Sequence, residues 1–455
     1  MADPTVADDF KLLKATLVVV LIAAIGGILY GFDIGVISGA LIFLSHDIAM
    51  TTNEASLVVA AVLGGGALAT LVSGPFADRF GRRLSINVSA IVFMLGTLWL
   101  VMTHGFAGVM GGRVVQGVGV GMMIIVIPMY LAETSPSLWR GRGVLAFHIC
   151  VTLGILLGYL ANYALRSSGD WRLMFGVALV PSLVLLAGGL VVLPESPRWL
   201  YRRGRVDAAR AALLRIQRER DAALAMAEMQ AVLAAERRTS GNAWRLLLGP
   251  GYRKAFLIAL AIGILNQLTG INVLLQFNAT ILGASGAHSG ILDSIGVGIA
   301  NFVVTAVGMA LVDKLGRRPL LIVGTVGVTI ALAFMGVIHL FPVSGWVAAN
   351  GMLAGFMVFI VFFAVGPGVV ALLTISEILP LAIRATGMSV ALFANSLASA
   401  ALAAVFMSGV AVVGYGGAFL SLAFFTLLYV LVAIFLLPEA KGRTLEQIEE
   451  GFLAP

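Results

Sequence analysis

The sequence predicts an all-α membrane protein of twelve transmembrane helices, arranged as two pseudo-repeated six-helix halves with a small helical linker between them. Composition requires a bilayer: 60% hydrophobic residues, 11% charged residues and a mean hydropathy of +1.04 leave too little polar surface for a water-soluble fold. Repetition requires the two halves. GPFADRFGRR at Gly74–Arg83 is echoed by MALVDKLGRR at Met309–Arg318, each after a long apolar run. Glu133 and Arg140 in ETSPSLWRGRG return as Glu377 and Arg384 in EILPLAIRATG, and Pro194-Glu195 returns as Pro438-Glu439, all at one offset (377 − 133 = 244). Repeated halves on this scale are a signature of secondary transporters.

Apolar runs of roughly 20 residues, long enough as helix to cross about 30 Å of hydrocarbon, fall at 15–44, 55–77, 84–104, 108–131, 143–165 and 172–193, then at 254–283, 290–312, 319–341, 347–376, 386–411 and 415–437. They are continuously apolar rather than alternating, so helices rather than barrel strands must satisfy their backbone in lipid. The first run is too long for a secretory signal, carries Asp33 and leads into another span. The second ends in the first Gly-Arg-Arg cassette. The fourth holds Arg113 at the head of RVVQGVGVG, with Gln116 and Gly117 on the same helical face. The fifth carries His148 and, one turn on, Thr152; it also holds Cys150, the sole cysteine, which excludes an intrachain disulfide and a cysteine-based metal site.

Residues 198–253 are rich in Ala, Arg and Glu, and periodic Leu, Ile and Met from Ala208 to Ala235 predict short amphipathic helices. The stretch has no glycine-rich phosphate loop, so no nucleotide cofactor is expected. The expected division is therefore a first half at 1–197, a linker at 198–253, a second half at 254–437 and a tail at 438–455.

Orientation follows from the basic residues. Of 29 Lys and Arg, all but Arg113, Arg166 and Arg172 fall on the side shared by both termini and the linker, and the positive-inside rule makes that side cytoplasmic. The expected location is a plasma membrane, of the bacterial inner-membrane kind. The same bias accounts for the net charge of +7, so no nucleic-acid partner is expected.

An ionised side chain at mid-membrane costs at least ~2.5–3.5 kcal/mol, so the few that exist point to function. Asp33, in GFDIGVISGAL of the first span, and Arg113 are the deepest, and each is the other's obvious partner. Two readings stand: a static ion pair that holds helices together, or a titrating switch in which a proton on Asp33 weakens the pair and lets the halves rearrange. A proton moving inward across ~100 mV supplies about 2.3 kcal/mol, roughly fifty-fold accumulation of a solute carried with it.

The polar residues within otherwise apolar spans are neutral and rich in amides: Gln116, His148, Thr152, Asn266, Gln267, Asn272, Gln276, Asn278, Asn301, Asn395 and Ser399. Amides both donate and accept, which suits a polyhydroxylated neutral solute, although some could serve only as bonds between helices. At 100° per residue Asn266, Gln267 and Asn272 cannot share one face of an unbroken helix, so NQLTGINVLLQFN predicts a local unwinding near Gly270. His148 reads equally as a buried neutral histidine and as cavity lining, with a second proton site as a further reading. Among the other histidines there is no ligand cluster, so no metal is expected.

The repeated charges Asp78, Arg82, Arg83, Glu133 and Arg140, and Asp313, Arg317, Arg318, Glu377 and Arg384, predict a pair of ion networks at the cytoplasmic helix ends. Their expected role is a conformational latch, closed in the outward-facing state and broken on inward opening; the alternative is topology and headgroup contact. No nucleophile, base and oxyanion donor cluster at readable spacing, so an enzyme is not expected.

GFDIGVISGAL, the two Gly-Arg-Arg cassettes, PMYLAETSP with WRGRG, PESPRWL, QLTGIN and PEAKGRT, in that order over essentially the whole chain, resemble the sugar porter family of the major facilitator superfamily. The resemblance implies alternating access around a central monosaccharide site, with a proton as the coupled partner: Asp33 matches the proton acceptor, Arg113 its partner, and His148, Asn266, Gln267, Asn272 and Asn301 match sugar-contacting positions. The chain departs from the family where His148 and Asn266 replace glutamines, Leu372 replaces a tryptophan of the tenth span, and Asn395-Ser396 replaces a Gln-Trp pair. Loss of the tryptophan removes a stacking platform and widens the lower cavity, which leaves the choice of sugar or polyol open. Two bundles packed on each other need no second copy, so a monomer is expected.

Overall fold

A computed structural model describes the backbone at 4–135, 140–238, 246–249, 251–286, 290–341, 345–380 and 382–438, and every regular element there is a helix. The first five spans are single helices, Pro4–Asp47, Thr52–Phe80, Arg82–Met102, Phe106–Thr134 and Arg140–Leu165. The sixth is two pieces, Trp171–Gly176 and Leu179–Val191. Three short helices form the linker, Pro197–Arg202, Val206–Leu214 and Glu219–Arg238.

The seventh span is three pieces, Arg253–Leu268, Ile271–Gln276 and Asn278–Ala284, followed by Gly290–Leu315 and Arg317–Leu340. Gly345–Val365 and Pro367–Ile378 make the tenth, divided where Pro367 brings no N–H to continue the ladder. The final helix, Arg384–Phe435, has 52 residues and is interrupted at Gly414, whose φ of 71° glycine tolerates readily. At 1.5 Å per residue it is about two and a half times as long as one crossing needs. Eleven described helices are long and apolar enough to cross a membrane, and the last supplies two crossings, so twelve spans are accounted for.

Lipid offers no hydrophobic drive between helices, so close approach must come from small residues. The first and fifth spans show it: a side chain added at Gly31 would strike the Val151 carbonyl, and one added at Gly154 would strike that of Ile28. Gly65 and Gly117 do the same for spans two and four. The halves meet where the second span lies along the final helix and the fifth along the eighth, with Gly298 set against Tyr159.

The linker is fastened to the first half. Trp199 donates its indole N–H to the Asp78 carbonyl at 2.8 Å, Arg203 reaches the Asp78 and Arg79 carbonyls at 3.0 and 2.7 Å, and Thr16 donates to the Ile216 carbonyl at 3.1 Å. Trp199 and Arg203 thereby occupy carbonyls at the end of the second helix that its own ladder leaves free.

Candidate functional site

Inside the first half the charges come together. Asp33 is 2% exposed and Arg113 fully buried, and Arg113 Nη1 donates to Asp33 Oδ1. The same nitrogen donates to Gln116 Oε1 at 3.1 Å, and Gln116 Nε2 donates to Thr97 Oγ1 at 2.9 Å. Arg113 Nε faces the Val58 carbonyl at 3.4 Å, and the guanidinium lies 5.4 Å from the centre of the Phe175 ring. The ion pair thus touches spans one, two, four and six, and reaches span three through Gln116. Arg113 Nη2 is buried with no hydrogen bond, so the pair retains bonding capacity that neighbouring side chains do not fill.

The second half holds a chain of neutral amides. Asn395 Nδ2 donates to the Gly263 carbonyl at 3.0 Å, Gln267 Nε2 to Asn395 Oδ1 at 3.1 Å, and Asn272 Nδ2 to Gln267 Oε1 at 2.9 Å and to Ser399 Oγ at 2.8 Å. Gln267 and Asn272 would point apart on a continuous helix. They meet because Gly270 adopts a left-handed conformation, φ 86° and ψ 10°, which ends one helix and starts the next. All four members are neutral and carry both donor and acceptor groups, which is what a sugar hydroxyl requires.

The remaining expected site residues lie elsewhere. Gln116, 1% exposed, belongs to the shell of the ion pair and not to the amide chain. Asn266 is partly buried with Oδ1 unbonded, Asn301 is 6% exposed on the eighth span, and His148 is partly buried on the fifth, edge-on to Phe147 at 5.9 Å. Leu372 stands 36% exposed on the tenth span.

At the basic end, Arg82 is 2% exposed and grips Glu133 with two nitrogens, at 2.9 and 3.0 Å, while also meeting Asp78 at 2.9 Å and the Ala77 carbonyl at 3.0 Å. Arg83 donates to the Gly189 carbonyl at 2.8 Å and to that of Leu190. In the second half Arg317 meets Glu377 at 3.0 Å, Arg318 donates to the Ile434 carbonyl at 2.7 Å, and Arg384 to that of Leu379 at 3.0 Å. Leu190 and Ile434 are separated by the same 244 positions as the two glutamates, so the repeat extends to backbone contacts. The side chains of Arg140 and Asp313 lie outside the described residues.

Glu195 is a member that the expected network omitted. Its Oε1 accepts the backbone N–H groups of Arg82, Arg83 and Ser196 at 2.8, 3.1 and 2.8 Å, a carboxylate on the N-terminus of the third helix. The signal was present in the sequence, since the Pro-Glu pair repeats at the common offset.

Comparison with known proteins gives the family and the fold. The family model described as "Sugar (and other) transporter" matches residues 19–452. A D-xylose transporter of Levilactobacillus brevis is 35% identical over 432 residues, covering 94% of this chain and 93% of that one. The glucose transporter of Staphylococcus epidermidis is 32% identical over 434 residues, covering 94% and 95%. Among solved structures, the partially occluded inward-open xylose transporter of E. coli superposes with a TM-score of 0.82 at 26% identity, over 95% of this chain and all (100%) of that one. A proton:xylose symporter bound to 6-bromo-6-deoxy-D-glucose gives 0.80 at 27% identity, over 96% and 99%. With helix order, repeat and match running the length of the chain, this multi-pass membrane protein belongs to the sugar porter family of the major facilitator superfamily, a family of transporters.

Proposed function

We propose that the protein imports a monosaccharide or related polyol in symport with a proton, by alternating access of two halves, 1–197 and 254–437, whose basic face is cytoplasmic. The carrying observation is the division of labour inside the bundle: a buried, titratable ion pair in the first half and a neutral amide chain in the second. Protonation of Asp33 removes the charge that Arg113 Nη1 contacts, freeing the guanidinium to bond elsewhere and loosening a joint shared by spans one, two, three, four and six. Gln267, Asn272 and Asn395, with Asn266, Asn301 and His148 as further lining, take the solute by exchanging amide–amide bonds for amide–hydroxyl bonds, so few buried polar groups lose a partner. Xylose, glucose and inositol transporters among the relatives support the solute class.

The latch at the basic end works through pairs such as Arg82–Glu133 and Arg317–Glu377, which tie helix ends together in the outward-facing state and break on inward opening. The test is solute-driven proton uptake in proteoliposomes with D-xylose, D-glucose and myo-inositol, wild type beside Asp33→Asn. Symport requires one solute to alkalinise the outer medium, and Asp33→Asn to abolish that signal while retaining solute exchange. Solute movement without protons in the wild type makes Asp33–Arg113 a static pair and the protein a facilitator.

A further inference from the structure

The seventh span breaks a second time, at Phe277, where no glycine or proline explains it; Phe277 has φ −102° and ψ 10°, is fully buried, and stacks on Phe406 at 5.9 Å. In a continuous helix the N–H of Ala279 would donate to the carbonyl of Leu275. Here each end of that bond is taken by a side chain of the other half. The Ala279 N–H donates to Ser38 Oγ at 2.9 Å, and the Leu275 carbonyl accepts from the Tyr159 hydroxyl at 2.8 Å. Ser38 and Tyr159 are both fully buried (0%) and belong to the first and fifth spans, at the end of the bundle away from the linker. Gln276 Nε2 and Asn278 Oδ1, on either side of the break, are buried without partners.

We propose that Ser38 and Tyr159 bolt the outer gate by holding one missing helical hydrogen bond of the seventh span open. The inference rests on the alternating-access reading. When the halves part on the outer side, Leu275 and Ala279 can bond each other, so the broken cross-half bonds are partly replaced at once. The unpartnered Gln276 Nε2 and Asn278 Oδ1 gain water in the same step. Closed and open gates are thereby kept near balance, as a two-state element needs. Tyr159 is a positioning residue, acting through the backbone of the seventh span without touching solute.

The test places a reporter thiol inside the gate, Thr152→Cys in a Cys150→Ser background, and follows its labelling by a membrane-impermeant maleimide from the side opposite the linker. Tyr159→Phe removes the bond to the Leu275 carbonyl together with the long 3.5 Å bond from Asn278 Nδ2 and should speed labelling at least about fivefold, and Ser38→Ala with Tyr159→Phe at least about twenty-five-fold. Tyr429→Phe is the control, since that hydroxyl is buried in the last span with no partner, and it should change nothing. Equal rates in wild type and both gate variants overturn the bolt, as does an equal acceleration by Tyr429→Phe. A wild-type labelling rate that none of D-xylose, D-glucose or myo-inositol alters removes the alternating-access reading, and the bolt falls with it.

Discussion

The two Gly-Arg-Arg cassettes are one motif held in two ways. In the first half Arg82 is 2% exposed, grips Glu133 bidentately and reaches Asp78, and Glu195 caps the helix that Arg82 begins. In the second half Arg317 and Glu377, 3.0 Å apart, are each 22% exposed, and Glu377 Oε2 is buried without a hydrogen bond. Solvent decides what such a pair is worth. The dense, desolvated copy behaves as an anchor, because removing one partner strands a charge, whereas the wetter copy can separate at lower cost. The same asymmetry runs deeper into the bundle, where the first half carries the buried charges Asp33 and Arg113 and the buried polar side chains of the second, among the described residues, are amides and hydroxyls.

The largest expected effect breaks this comparison at its centre. Asp33→Asn should abolish proton-driven accumulation, a loss of roughly fifty-fold across ~100 mV, while leaving equilibrium exchange within severalfold of wild type, measured as radiolabelled sugar flux in vesicles. If exchange falls equally, the pair serves structure in the first half and the charge asymmetry carries no coupling. Next comes the anchor: Arg82→Ala should cost about 3–5 kcal/mol by stranding Glu133, and Arg317→Ala about 1 kcal/mol, read as loss of thermal stability in detergent. Equal losses would erase the distinction between the copies.

Gln267→Ala removes a donor and an acceptor from the amide chain and should weaken sugar binding about 10- to 100-fold with the pH dependence of uptake unchanged. Gln116→Ala should do the reverse, altering pH dependence and leaving affinity within severalfold, because Gln116 contacts Arg113 and Thr97. Isothermal titration beside a pH series of initial rates separates the two. The smallest effect belongs to the linker: Trp199→Ala loses one bond to the Asp78 carbonyl and should cost about 1 kcal/mol.

Much of this was legible in the residues, and the parts that were not share a cause. Twelve apolar runs, the common offset and the bend of the seventh span at Gly270 follow from composition, repetition and helical geometry, all local properties. Gln116 could not be placed locally. Sitting three residues after Arg113, it fits both a solute cavity and an ion-pair shell, and its bond to Thr97 of another helix is not readable from its own span. The break at Phe277 was equally hidden, because the groups that stabilise it are Ser38 and Tyr159, more than a hundred residues away in sequence. The sixth and tenth spans read as continuous for the same reason: their lengths and hydropathy suit one crossing whether or not the ladder is interrupted.

The linker's attachments lead to a point about heredity. Its described bonds to Thr16, Asp78 and Arg79 all reach the first half and end by Ile216, while Leu247 is already buried in the core of the second. Between those positions Glu219–Arg238 packs through Ala222 and Met229 on the linker's own earlier helices, and no described helix is shared between the two bundles. A gene divided there should yield two polypeptides that reassemble when expressed together, each keeping its own cassette, a trace of the single ancestral unit that duplication copied.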